Sequence, residues 1–161
     1  MITPSVMTKI NAIEKFGFAT ITGEPKEAYN EEIPKLSATP KMKLLYENIL
    51  FVLENKRVYL DKDINLTKLS QMLFTNTTYL SKVVNKFFGC NLKTLLNSYR
   101  VEYAKQLLRN DSCSMNELAA RCGFLSRSTF YATFMKFEHM TPTDYRMNAR
   151  TQVLRASANE E

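Results

Sequence analysis

The sequence predicts an all-α protein: two helix-turn-helix subdomains joined by a long linker helix. Two observations carry that prediction. From Lys41 to about residue 147, apolar residues recur at steps of three and four, the period of one face of a helix. Within that span, one block of the pattern occurs twice, about fifty residues apart.

Taken in order, residues 1–40 hold Gly17, Gly23, Pro25, Pro34 and Pro40, with only Val6, Ile10 and Ile13 in helical register. They read as an irregular leader or linker. A domain at 41–147 follows, opened by a helix whose face is Met42, Leu45, Ile49 and Val52. The first helix-turn-helix is expected over about 64–88, the linker helix over about 92–109 and the second helix-turn-helix over about 114–138. On the linker helix, Leu92, Leu95, Leu96, Tyr99, Tyr103 and Leu107 are spaced to bury one stripe. After Asn148 the run ARTQVLRASANEE has no sustained apolar face, so 148–161 is expected to be a flexible tail.

The repeat is clearest in two stretches, NTTYLSKVVNKF from Asn76 and SRSTFYATFMKF from Ser126. Leu80, Val84 and Phe87 in the first stand where Phe130, Phe134 and Phe137 stand in the second, on one helical face. Asn76 and Ser126 occupy matching N-cap positions, where a side-chain oxygen accepts from an otherwise unpaired amide. Asn91 matches Thr141 as the cap of the next helix, the latter strengthened by Pro142 and Asp144. Upstream the offset is 49, aligning Leu69 with Leu118, so one residue is added in the turn around Gly123 and Phe124. A linker of this length, about 27 Å at 1.5 Å per residue, would hold two second helices roughly one DNA turn apart, about 34 Å.

Composition excludes several classes. The 161 residues, 45% hydrophobic and 24% charged, read as a soluble globular chain. No apolar run approaches the roughly 20 residues that span a bilayer, and no signal-peptide pattern opens the chain, so a cytoplasmic, nucleoid-associated placement is expected. Net charge is −1 over residues 1–40 and +7 over 41–147, which puts the basic excess in the helical block, where a polyanion would be met. Cys90, Cys113 and Cys122 have neither C-x-x-C spacing nor histidine partners. They are read as reduced and buried, and no metal, cofactor or small-molecule site is expected. The single histidine, His139, is read as a helix C-cap in place of glycine, because histidine tolerates positive φ.

The linker pattern Arg100-Val101-x-x-Ala104-x-x-Leu107-Leu108, with Leu118-Ala119, Gly123-Phe124, Ser128, Phe130, Phe134, Thr141-Pro142 and Tyr145-Arg146, resembles the AraC/XylS family of bacterial transcription regulators. The resemblance covers about residues 43–146. It implies a homeodomain-like domain of about seven helices, with two recognition helices entering successive major grooves of double-stranded DNA, the first usually the more firmly seated. Val84 and Asn85 depart from the usual aromatic and basic residues of the first copy, and Met135 from a basic residue of the second. Glu138-His139 stands in place of an aromatic-glycine pair that the first copy keeps as Phe88-Gly89.

On that footing Thr78, Ser81, Lys82 and Asn85 of the first recognition helix are the candidate base readers, with Arg127, Ser128, Tyr131, Ala132 and Met135 of the second. Lys82 and Arg127 suit guanine O6 and N7, Asn85 suits adenine, and the methyls of Thr78 and Ala132 suit thymine. Asn76, Lys86, Asn91, Ser126, Lys136 and Thr141 are candidate phosphate contacts, four of them because helix N-termini present free amides there. One rival reading is a protein-interaction module of the same fold, engaging RNA polymerase or another regulator and holding DNA weakly. Another is an enzyme with Cys122 as nucleophile, for which the sequence offers no activating base. Control by a sensing domain is left open: either the chain acts alone, or its sensor is missing.

Overall fold

The computed structural model describes residues 38–110 and 113–158, so the expected leader lies almost wholly outside the described residues. Among them are seven α-helices and no strand: α1 Pro40–Glu54, α2 Leu66–Met72, α3 Thr77–Phe88, α4 Leu92–Arg109, α5 Leu118–Arg121, α6 Arg127–Glu138 and α7 Pro142–Ala158. A 3-10 turn at Val58–Leu60 follows α1. None of these helices is long and apolar enough to cross a membrane.

Local chemistry sets the starts. The Thr39 hydroxyl accepts from the Met42 amide at 3.3 Å, with Pro40 at the first helical position of α1. Asn65, Asn76 and Asn91 cap α2, α3 and α4 through their side-chain oxygens at 2.9, 2.8 and 2.9 Å. The inner face of α1 departs from its expected stripe. Met42, Leu45 and Ile49 are buried, but Leu53 is the fourth and Val52 is only half-buried. The face is broader because α1 packs against both α3 and the 3-10 turn.

Two apolar cores sit at the two ends of α4. Leu92, Leu95, Leu96 and Tyr99 belong to the first, with Leu69, Leu80, Val83 and Val84. Val101, Ala104, Leu107 and Leu108 belong to the second, with Leu118, Phe124, Phe130 and Phe134. The linker therefore buries more than the single stripe read from the sequence, and Tyr103 is half-buried where the two cores meet. Ring packing adds to the first core, which includes Val84. Tyr46 of α1 stacks on Phe87 at 4.7 Å and tilts against Phe88 at 5.2 Å.

Arg100, near the middle of α4, ties the two ends together. Its Nε donates to the Tyr59 carbonyl at 2.6 Å and its Nη2 to the Asp61 carbonyl at 3.0 Å, while the guanidinium lies 5.5 Å from the centre of the Phe124 ring. Further along, the Lys105 ammonium pairs with Glu138 at 3.0 Å and Glu102 at 3.1 Å, fixing the end of α6 to the linker. His139 takes φ +56 as the C-cap of α6, just as Gly89 takes φ +67 after α3.

Over residues 148–158, where a flexible tail is expected, α7 continues to Ala158. Its first turns are anchored: Tyr145 meets Phe134 edge-on at 5.7 Å, and the Arg146 guanidinium donates to the Cys113 carbonyl. Beyond them, over 147–158, the sequence has no glycine or proline and holds three alanines and two arginines, so propensity extends the helix. Leu154 is 71% exposed.

Candidate nucleic-acid interface

On α3 the buried residues are Leu80, Val83, Val84 and Phe88, which turns the other side of the helix outward. Thr78, Lys82 and Asn85 are exposed there and Ser81 is half-buried. Lys86 is exposed near the end of the helix.

On α6 the apolar anchors are stronger. Phe130 and Phe134 are fully buried, meeting at 5.7 Å, with Phe124 5.3 Å from Phe130. Ser128, Ala132, Met135 and Lys136 are exposed. Tyr131 is half-buried and edge-on to Phe130 at 5.6 Å, so one flank of its ring belongs to the core. Arg127 is exposed and held in place: Nη1 donates to the Asn116 amide oxygen at 3.0 Å, Nη2 to the Tyr131 hydroxyl at 3.3 Å, and the guanidinium lies 5.2 Å from that ring. Asn116 sits in the turn before α5, and nothing in the sequence pattern pointed to it.

The candidate phosphate positions differ in what they leave free. Asn76, Asn91 and Ser126 each spend a side-chain oxygen on the third residue of their own helix, leaving the earlier amides of α3, α4 and α6 outward. Thr141 is different. Its hydroxyl donates to the Asp144 carboxylate at 2.6 Å and accepts from the Asp144 amide at 3.1 Å, while Pro142 has no amide hydrogen. The N-terminus of α7 thus carries its own anion.

Two ionisable groups bear on the chemistry. Burial draws the Arg100 guanidinium below its ordinary range, and Asp61 partly offsets this. Burial, reinforced by Cys113, pushes the Cys122 thiol up to about 12. A fully buried thiol that stays protonated at neutral pH is a poor nucleophile.

Two helix-turn-helix units sharing one helix, each with a polar outward second helix, define a DNA-binding domain of the transcription-regulator class. Known proteins agree. The helix-turn-helix domain family matches residues 69–148. The C-terminal domain of the two-component response regulator YesN from Fusobacterium nucleatum is 32% identical with a TM-score of 0.56, over 66% of this chain and 98% of that one. The DNA-binding domain of AdpA, solved in complex with a target DNA, superposes with a TM-score of 0.60 at 23% identity, over 67% of this chain and 94% of that one. An HTH-type transcriptional regulator of Staphylococcus aureus is 32% identical over 89 residues, which is 55% of this chain and 12% of that relative. The chain thus spans about an eighth of the length of this relative. It belongs to the AraC-type helix-turn-helix family of transcription regulators.

Proposed function

We propose that the chain binds double-stranded DNA at particular sequences, with α3 and α6 entering successive major grooves. The observation that carries this reading is the Arg100 clamp on a shared linker, bonded to the Tyr59 and Asp61 carbonyls and set over the Phe124 ring. It couples the two units, so the spacing of their recognition helices is a property of the fold. Thr78, Ser81, Lys82 and Asn85 read the first groove. Arg127, Ser128, Ala132 and Met135 read the second, with Tyr131 supporting Arg127. Lys86, Lys136 and the N-termini capped by Asn76, Asn91 and Ser126 hold phosphates, whereas Asp144 weakens the case for Thr141.

Selection of bound sequences from a random duplex pool, followed by titration at several salt concentrations, tests the reading. An enriched site, bound at least about a thousand-fold more tightly than scrambled duplex and with steep salt dependence, is expected. Binding without enrichment would contradict it. A second reading has its own support on α6, where Met135 is 43% exposed and Arg127 is already engaged. In that case this face meets RNA polymerase or another regulator, and α3 alone reads DNA.

A further inference from the structure

A cleft of about 560 Å³ lies between the two units, and both recognition helices line it, through Ser81 of α3 and Thr129 of α6. Lys62, Lys93, Asn97 and Arg100 share it, and no aspartate or glutamate is among its lining residues. Lys62 and Lys93 are exposed, and neither forms a salt bridge among the described residues. Of the carboxylates beside Lys62, Asp61 is paired with Lys68 at 3.0 Å and Asp63 does not line the cleft. The N-terminus of α4, at Asn91, opens on the same space and adds its dipole to the positive field.

Two helices in successive major grooves on one side of a duplex leave one stretch of minor groove between them, edged by the sugar-phosphate backbone of each strand. The surface between those helices faces that stretch. We infer that this cleft seats the intervening DNA backbone, with Lys62 and Lys93 holding its phosphates. The inference rests on the proposal that α3 and α6 enter successive grooves. Neither lysine carries sequence information in this role. They set register and strengthen binding on every sequence alike.

The test uses the full chain and its selected duplex, with neutral methylphosphonates replacing the phosphates between the two protected major-groove segments. Wild type should lose affinity on the neutral backbone, while Lys62→Ala/Lys93→Ala should lose clearly less, because only Arg100 and the N-terminus of α4 then face it. The double variant's plot of log affinity against log salt should be shallower by about two. Between about 50 and 200 mM salt its affinity should therefore fall about ten-fold less than that of wild type. Melting by circular dichroism checks the fold, with Lys62→Gln/Lys93→Gln as the substitute should the alanine variant unfold. Wild type indifferent to the neutral backbone, as a site for small free anions would be, overturns the inference. A double variant as sensitive as wild type does so too. Failure of wild type to prefer any sequence would instead remove the reading beneath it.

Discussion

A methyl group on Gly123 would stand 2.7 Å from the carbonyl oxygen of Tyr59 and 2.9 Å from that of Leu60. The turn of the second helix-turn-helix is thus seated directly on the backbone of the first unit. Gly123 also needs φ +81, while Gly89, at φ +67, has open space around it. Gly89→Ala should cost only the strain of a positive φ, about 1 to 2 kcal/mol. Gly123→Ala adds a collision with backbone that cannot rotate away, and should cost at least about twice as much. Urea unfolding compares them, and equal losses would mean that the turn backs away from Tyr59 freely.

The phenylalanine anchors of α6 make a second prediction. Phe130 is fully buried, so Phe130→Ala should cost about 3 to 5 kcal/mol. Tyr131→Ala removes one edge contact and should cost less than half of that, while weakening DNA binding because Arg127 loses its prop. Comparable stability losses would show that the outward face has been misassigned.

At the bases, Lys82→Ala should weaken specific binding by about 1 to 3 kcal/mol and relax preference at one or two positions. Arg127→Ala should do the same in the other half of the site. Asn116→Ala should reproduce part of the Arg127 effect with little change in stability, since it frees the guanidinium without emptying any core. Titration against a panel of single-base variants measures all three. A uniform loss on every sequence would make the residue concerned a phosphate contact.

Alkaline pH supplies the fourth. The Cys122 thiol, pushed up to about 12 in the folded chain, ionises near 8.5 when unfolded. A pKa raised by folding contributes stability below the unfolded value and loses it as pH rises toward the folded one. Unfolding free energy should therefore decline from about pH 8.5 upward, and Cys122→Ala should flatten part of that decline. A thiol reagent should modify the half-buried Cys90 in the native protein and leave Cys122 untouched until unfolding. Rapid native labelling of Cys122 would contradict its burial.

What the sequence revealed follows the range of the interactions involved. Caps at Asn76, Asn91, Ser126 and Thr141 were legible because each acts within three residues, and His139 because it fills the place of Gly89. The duplication exposed both units without any knowledge of contacts. The Arg100 clamp was not legible as a clamp, since its partner Tyr59 lies 41 positions away and the bond goes to a carbonyl, which every residue has. Asn116 was missed for the same reason, lying 11 residues before Arg127 in a turn with no periodic signal. The helix over 148–158 was not legible, because it carries no sustained apolar stripe in the sequence. Residues 148–158 continue a helix already nucleated and anchored by Tyr145 and Arg146, which needs only favourable propensity.

The central claim is that one rigid linker spaces two DNA-reading helices. Titrating the full chain at fixed salt on its selected site, and on the same site with about 5 or about 10 base pairs inserted between the halves, tests it most directly. The account predicts that the 5-base-pair insertion turns the second half to the far side of the duplex and reduces binding to that of the first half alone. The 10-base-pair insertion should not restore it, because the linker fixes distance as well as phase. Binding to the 5-base-pair site as tightly as to the parent would contradict the account, leaving α3 as the only helix that reads DNA.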